Sequence, residues 1–161
     1  MTYEQTLAIS RLIAHACVEV ATQAETSVMY TSRLSERVAE SARSNGYFEY
    51  RSLHTRYLHA RSARLCTRRV RLIANQVAIV REAGQAARLA STQISELGNR
   101  NEPSLQALKN AVNDAIKGAA RAERAARVAR GYLWQSIDIA FEAAQDRDLS
   151  TLVVQSEKLQ R

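Results

Sequence analysis

Apolar residues recur at alternating spacings of three and four along most of this chain. Such spacing puts them on one face of an α-helix, and when sustained over many turns it is typical of coiled-coil-like packing. We therefore predict three long helices at about residues 2–44, 47–97 and 102–146.

Each predicted helix has one seam of residues expected to be buried. Helix one has Ile13, Cys17, Val20, Ala24, Ser27, Thr31, Leu34 and Val38. Helix two has Ala63, Cys66, Val70, Ile73, Val77, Val80, Gly84, Ala87, Ser91 and Ile94. Helix three has Leu105, Leu108, Val112, Ala115, Ala119, Ala122, Ala126, Ala129 and Leu133. Helix two has a second apolar row, so we expect it to contact both neighbours: Leu58, Leu65, Leu72, Ile79 and Ala86.

Two clear breaks separate the predicted helices. Ser44-Asn45-Gly46 ends the first helix, and Gly98 ends the second, with Asn101 as the expected N-cap of the third and Pro103 in its first turn. A weaker break at 146–148 predicts a short fourth helix at 149–160, but helix three could also continue to the C-terminus.

The predicted fold class is all-α. We expect a single domain over residues 1–161, an elongated antiparallel three-helix bundle with long coiled-coil-like helices and a short C-terminal fourth helix. In an antiparallel hairpin the numbers of facing residues add up to a constant, which tight turns set at about 91 for helices one and two and about 201 for helices two and three. With that register, Cys17 and Cys66 lie too far apart for a disulfide, so we interpret both as small core residues.

Charge is distributed unevenly along the chain. The net charge is +7, and residues 47–99 alone contribute +6. No acidic residue lies between Glu49 and Glu82, yet this stretch has eight arginines. A helix with such a composition has no i,i+4 ion pairs of its own, so its counter-charge must come from another helix, another subunit or a separate anion.

Four of these arginines, Arg61, Arg64, Arg68 and Arg71, share one side of helix two at 3-4-3 spacing, and we call them the basic row. Tyr47, Tyr50 and Tyr57 precede them on the same side. Arginines beside aromatic rings are typical of surfaces that bind single-stranded nucleic acid, and they also suit an acidic protein surface. Alternatively, the tyrosines pack in the core and helix one neutralises the arginines through surface pairs.

A second basic set lies on helix three and consists of Arg121, Arg124, Arg127 and Arg130. The predicted register brings it level with the basic row, so we expect one merged basic zone. Trp134 is level with about Arg68, where it could stack on an arginine, or it is a core or interface residue.

The sequence has no motif for catalysis or for a metal site. We find no Glu-x-x-His pair, no glycine-rich phosphate loop and no converging histidine pair, and we predict neither an enzyme nor a bound cofactor or metal. A small-molecule or haem carrier is the third hypothesis, and it requires an internal cavity.

We therefore expect a non-enzymatic basic helical bundle that binds a polyanion, with nucleic acid first and an acidic protein surface second. The alternative is a structural or assembly subunit that forms a homo-oligomer through helical interfaces. We expect a cytoplasmic location and no membrane insertion, because the chain has no signal-peptide pattern, disulfide framework or long apolar run.

Overall fold

The computed structural model describes residues 2–44, 53–100 and 104–159, without the side chains of 54, 55 and 145–159. It contains three helices: α1 (Tyr3–Ser44), α2 (Leu53–Leu97) and α3 (Leu105–Leu159). The described residues include no strand, and the three helices pack together, which confirms the predicted all-helical class.

The start of each outer helix is capped by a side chain next to it in sequence. At α1, the Thr2 amide donates to the Gln5 side-chain oxygen (3.0 Å) and the Gln5 amide donates to the Thr2 hydroxyl (3.3 Å), which is a capping box. At α3, the Ser104 hydroxyl accepts from the Ala107 amide (3.3 Å). Ser104 is therefore the N-cap of α3 rather than the predicted Asn101, which, like Pro103, lies outside the described residues.

The glycine after α2 lies close to two side chains of α1. The Gly98 amide donates to the Ile94 carbonyl at 3.3 Å as α2 ends. No described glycine has a positive φ, so Gly98 is not the left-handed cap that ends many helices. A Cβ at Gly98 would lie 2.8 Å from the Leu7 Cδ2 atom and would also meet the Arg11 guanidinium. Both contacts are ends of flexible side chains, so a larger residue at position 98 would require Leu7 and Arg11 to shift.

The chain divides into two compact units, and each contains part of all three helices. Unit 1 comprises Met1–Tyr30 and Asn75–Ala129, and unit 2 comprises Thr31–Ala74 and Arg130–Arg161. Each unit is described below by itself.

The core of unit 1 consists of small and medium side chains. One buried cluster contains Leu7, Ala14, Ile94, Leu97, Leu108 and Ala111, and another contains Cys17, Ala90, Ala115 and Ala119. A Cβ added at Gly118 would lie 2.9 Å from the Ala83 carbonyl oxygen and 3.0 Å from the Ala87 amide nitrogen. Here the backbones of α2 and α3 approach so closely that only glycine fits without a shift.

Unit 2 has its own core around one cysteine. Ala39, Ala42 and Cys66 form the buried cluster, with partly buried Ala63 and Val70 among the residues packed on it. The Cys66 thiol lies 3.6 Å from the Ser136 carbonyl oxygen and donates to it. Burial raises the pKa of the Cys66 thiol, and this is only partly offset by the Ser62 hydroxyl and the Arg69 charge. Both cysteines are free and buried, so the interpretation of them as small core residues is confirmed.

The predicted seams of α2 and α3 are largely the buried faces, but the seam of α1 is half wrong. Cys17, Ala24 and Thr31 are buried as expected, whereas the partly exposed positions of the predicted seam each have a buried neighbour one residue later in sequence. These neighbours are Ala14, Ala21, Val28, Ser35 and Ala39. Four of these five buried neighbours are alanine or serine, and closely spaced helices accommodate small side chains between them more easily.

The register of α3 against α2 is close to the predicted one, whereas the predicted register of α1 against α2 is wrong. In unit 2, the contacts Cys66–Ser136 and Arg69–Gln135 give facing numbers that add up to 202–204, near the expected 201. In unit 1, Arg88 pairs with Glu25, which gives 113 rather than 91. The prediction assumed a tight turn at 45–46, but the described part of α2 begins only at Leu53.

α3 is one helix as far as Leu159. This agrees with the alternative in which helix three runs on, but it does not test how residues 149–160 pack, and a separate fourth helix stays a prediction. No helix among the described residues is both long and apolar enough to cross a bilayer.

Candidate polyanion-binding surface

The basic row lies on the solvent-exposed side of α2 within unit 2. Arg61, Arg64, Arg68 and Arg71 are all exposed. Their 3-4-3 spacing keeps them on one face, about 15 Å long at 1.5 Å of rise per residue. The buried residues Ser62, Cys66 and Ile73 lie on the opposite face of the same helix, so the core positions this row outward.

No described carboxylate forms an ion pair with any arginine of the basic row. The packing of Ala39 with Cys66 brings Glu36 and Glu40 of α1 roughly level with residues 65–70. Both glutamates are exposed and neither pairs with the row. Within the described parts of unit 2, the counter-charge of the basic row is therefore not supplied by α1 or α3.

The absence of partners has an energetic consequence for α2 itself. Arg64 and Arg68 are four residues apart on an exposed face, where a pair of like charges costs about 0.2–0.5 kcal/mol. Arg61 and Arg71 add to the same repulsion at three-residue spacing. An anion bound along this face would relieve that repulsion, because each of its charges attracts the nearby guanidinium groups.

Arg69, the fifth arginine of this segment, has a different role. Its Nε donates to the Gln135 side-chain oxygen (3.2 Å) and its Nη1 donates to the Leu65 carbonyl (3.3 Å). Arg69 therefore links α2 to α3 and does not belong to the basic row.

Tyr57 is the predicted aromatic residue of α2 whose side chain the structure describes. It is 63% exposed and lies one turn before Arg61, so its ring extends the basic row and is not part of the core. Tyr47 and Tyr50 lie outside the described residues.

Trp134 is level with the basic row but faces another direction. It is 64% exposed, so it is not a core residue of unit 2. The α3 residues next to α2 are Gln135, which contacts Arg69, and Ile139, which shares a groove with Leu58. Successive helical positions are about 100° apart, which turns Trp134 away from α2. Stacking of Trp134 on an arginine of the basic row is thus not favoured.

The basic set of α3 divides between the two units. Its four arginines are all exposed, but Arg121 pairs with Glu82 (3.2 Å) and Arg127 pairs with Glu123 (2.8 Å). Arg124 and Arg130 contact no described carboxylate. Arg130 belongs to unit 2 and the other three belong to unit 1, so the merged basic zone stays a prediction. The basic row is the better candidate site.

Sequence reasoning missed a shallow groove beside the basic row. It has a volume of about 180 Å³ and is lined by Leu58, Arg61, Ser62, Leu65, Ile139, Glu142 and Ala143. Arg61 and Glu142 share its walls without forming an ion pair. The signal for this groove in the sequence was the second apolar row of helix two, which includes Leu58 and Leu65 at seven-residue spacing. That row predicted contact with a second helix.

The described residues offer little reactive chemistry. No group of three or more His, Cys, Asp or Glu side chains is placed to hold a metal ion among them. His15 lies 3.7 Å from Glu19 on the surface and His59 is buried. Burial raises the pKa of the thiol at Cys17 as well as at Cys66, which makes both poor nucleophiles at neutral pH.

Comparison with protein-family models, curated proteins and solved structures finds no match for this chain. The arrangement of its own residues is thus the basis for a functional proposal.

Proposed function

We propose that this protein is a non-enzymatic binding module whose basic row holds a polyanion, with nucleic acid as the first choice. The observation that supports this proposal is the set of four exposed arginines on one face of α2 with no described carboxylate partner. Repulsion among these like charges destabilises α2, and a bound anion would offset that repulsion because it attracts each guanidinium group.

The kind of charged residue favours phosphate. The chain has 20 arginines and only three lysines, and a guanidinium group donates two parallel hydrogen bonds to phosphate or carboxylate oxygens. A nucleic acid backbone presents a phosphate at regular intervals and suits a regular row of arginines better than scattered carboxylates do. Contacts to the backbone carry no sequence information, so we expect non-specific binding.

The test is a titration of the full chain against a fluorescently labelled oligonucleotide at several salt concentrations. Four phosphate contacts predict a slope of log K against log[salt] of about −3 for a single strand, because each contact contributes about −0.7. The double substitution Arg61→Glu and Arg68→Glu should weaken binding by at least about tenfold and make the slope shallower.

The matched control reverses the same number of charges in unit 1. Arg100→Glu with Lys109→Glu changes two exposed residues that contact no described carboxylate. If this control weakens binding as much as the double substitution in the basic row, net charge alone governs binding and the assigned site is wrong. Undiminished affinity in the Arg61 and Arg68 variant would have the same consequence.

A second candidate function, an assembly subunit, is favoured by the surface of α1 in unit 1. Leu12 is 72% exposed and Ile9 is 48% exposed, while the smaller Ala14 and Ala21 are buried. Large apolar side chains outside and small ones inside suit a helix that contacts another protein or a second copy of the chain. Light scattering tests this proposal, since a strict monomer at high concentration would count against it.

The finer features of the fold and location belong to the same proposal. We infer coiled-coil-like supercoiling from the 3-4 seams and a reducing, cytoplasmic compartment from the two free thiols. The elongated form and the fourth helix are inferred from sequence alone.

A further inference from the structure

We infer that the polyanion is a single-stranded nucleic acid, with its phosphates along the basic row and an unpaired base stacked on Tyr57. This inference rests on the proposed function and adds to it the strandedness of the ligand and a stacking residue. It follows from two features of unit 2, namely the exposed face of α2 that carries the basic row and the exposed ring at the end of that row.

Both flanks of α2 are occupied in unit 2. On one flank, Ala63 and Val70 pack on the cluster that contains Ala39 of α1. On the other flank, Leu58 and Leu65 line the groove with Ile139 of α3, and Arg69 contacts Gln135. Among the residues of unit 2 whose side chains are described, this leaves the outer face of α2 open to a ligand.

The open face of α2 does not by itself select one kind of nucleic acid. The major groove of a duplex is about 12 Å wide and admits the outer face of a helix whose inner side packs on other helices. A duplex could also contact the basic row through its backbone phosphates. Selection of a single strand therefore depends on the aromatic ring beside the arginines.

An unpaired base has a partner on this surface that a paired base lacks. Tyr57 is 63% exposed and lies four residues before Arg61, about 6 Å along the helix axis. Leu53, a further four residues back, is 82% exposed and extends the apolar end of the face. In a duplex the base faces are covered by their neighbours, whereas in a single strand they are free to stack on an aromatic ring.

The length of this surface fits a short segment of strand. Tyr57 and Arg71 are about 21 Å apart along α2 at 1.5 Å per residue. Single-strand binding modules cover about 4–16 nucleotides. A base on Tyr57 and phosphates on the four arginines would place the strand along α2 as one continuous contact.

The experiment uses fluorescence anisotropy with three probes of equal length, about twelve nucleotides. They are single-stranded oligothymidylate, a duplex, and an abasic strand that keeps the sugar and phosphate without bases. We expect the native protein to bind oligothymidylate more tightly than either other probe. Tyr57→Ala should lower the affinity for oligothymidylate by about 5- to 150-fold and leave the abasic strand unchanged, because stacking contributes that much per base.

Two variants separate stacking from folding. Tyr57→Phe keeps the ring and should bind within about twofold of the native protein. Tyr30→Ala removes a tyrosine of α1 in unit 1 that is equally exposed, at 65%, and should leave binding unchanged. Circular dichroism of each variant verifies that the helices are intact.

The outcomes distinguish this inference from the function it rests on. Equal affinity for oligothymidylate and the abasic strand, or a Tyr57→Ala variant that behaves as Tyr30→Ala does, overturns the stacking inference. If that binding still depends on Arg61 and Arg68, the polyanion proposal survives. If none of the three probes binds, both the proposed function and this inference are wrong.

Discussion

Unit 1 and unit 2 are built from the same three helices, but they balance their charges differently. The sequence of unit 1 has nine basic and eight acidic residues, for a net charge of +1, whereas unit 2 has fourteen and eight, for a net charge of +6. In unit 1, ion pairs join the helices at Arg88–Glu25 (2.6 Å) and Arg121–Glu82 (3.2 Å). In unit 2, the basic row contacts no described carboxylate.

This difference distinguishes arginines that form ion pairs within the protein from arginines that are available to bind a partner. An arginine that faces a glutamate on the next helix, as Arg88 does, is satisfied within its own unit. The basic row shows the opposite arrangement on the same helix, because its arginines lie outside the packed flanks. A high arginine content alone would not have distinguished the two.

The units also differ in how closely their helices approach. In unit 1, a Cβ added at Gly118 would lie 2.9 Å from the Ala83 carbonyl oxygen and 3.0 Å from the Ala87 amide nitrogen. In unit 2, nothing lies within 4 Å of a Cβ added at Gly131. The two glycines therefore make a direct test of packing, and they should give the largest effect among the predictions that follow.

Gly118→Leu should lower the free energy of unfolding by about 2–3 kcal/mol, because overpacking forces the two backbones apart. Gly131→Leu should raise it by about 0.8 kcal/mol, since leucine is the better helix former at an open position. Urea denaturation of both variants measures the difference. Equal effects of the two substitutions would mean that α2 and α3 do not approach closely at Gly118.

The same charge reversal, from arginine to glutamate, should change the free energy of unfolding in opposite directions in the two units. Arg64→Glu places a glutamate four residues before Arg68 and should raise the free energy of unfolding by about 0.5 kcal/mol. Arg121→Glu sets two glutamates against each other at Glu82 and should lower it by about 0.5 kcal/mol.

Thermal denaturation at low salt measures both changes. They should shrink at about 1 M salt, where the screening length falls to about 3 Å. If Arg64→Glu destabilises the protein as Arg121→Glu does, the basic row has a structural partner, and its proposed role in binding is weakened.

The smallest predicted effect concerns the two buried thiols, one in each unit. Burial raises the pKa of Cys17 and of Cys66 above the ordinary value of 9.0. Above about pH 9 the unfolded chain releases these protons while the folded chain retains them, so this contribution to stability is full below pH 9 and is lost as pH rises through the folded pKa values.

Cys17→Ala and Cys66→Ala should each make the fall in stability between about pH 8 and about pH 10 less steep than in the native protein. Urea denaturation across this range isolates the thiol contribution, because tyrosine and lysine titrate equally in all three proteins. An unchanged slope in both variants would show that the thiols titrate alike in the folded and unfolded chains.

Much of the local structure could be predicted from the sequence. The helices end at Ser44 and Leu97, close to the breaks that the sequence predicts there, and the seams of α2 and α3 follow from their 3-4 spacing. The exposure of the basic row follows as well, because residues opposite a buried seam face solvent. These features depend on one helix at a time, and the period of a helix is fixed by its backbone geometry.

What the sequence by itself determined is therefore the helical class and the face on which the arginines of α2 lie. Only the tertiary structure decided which face of α1 is buried and how α1 is aligned along α2. It also decided that Trp134 is exposed and which arginines form an ion pair with a glutamate. Phase and register depend on how side chains of different helices fit together, and shifting one helix along another leaves each helix's own pattern unchanged. Small differences in packing between helices, as at Ala14 beside Ile13, select one arrangement among several that the sequence pattern allows.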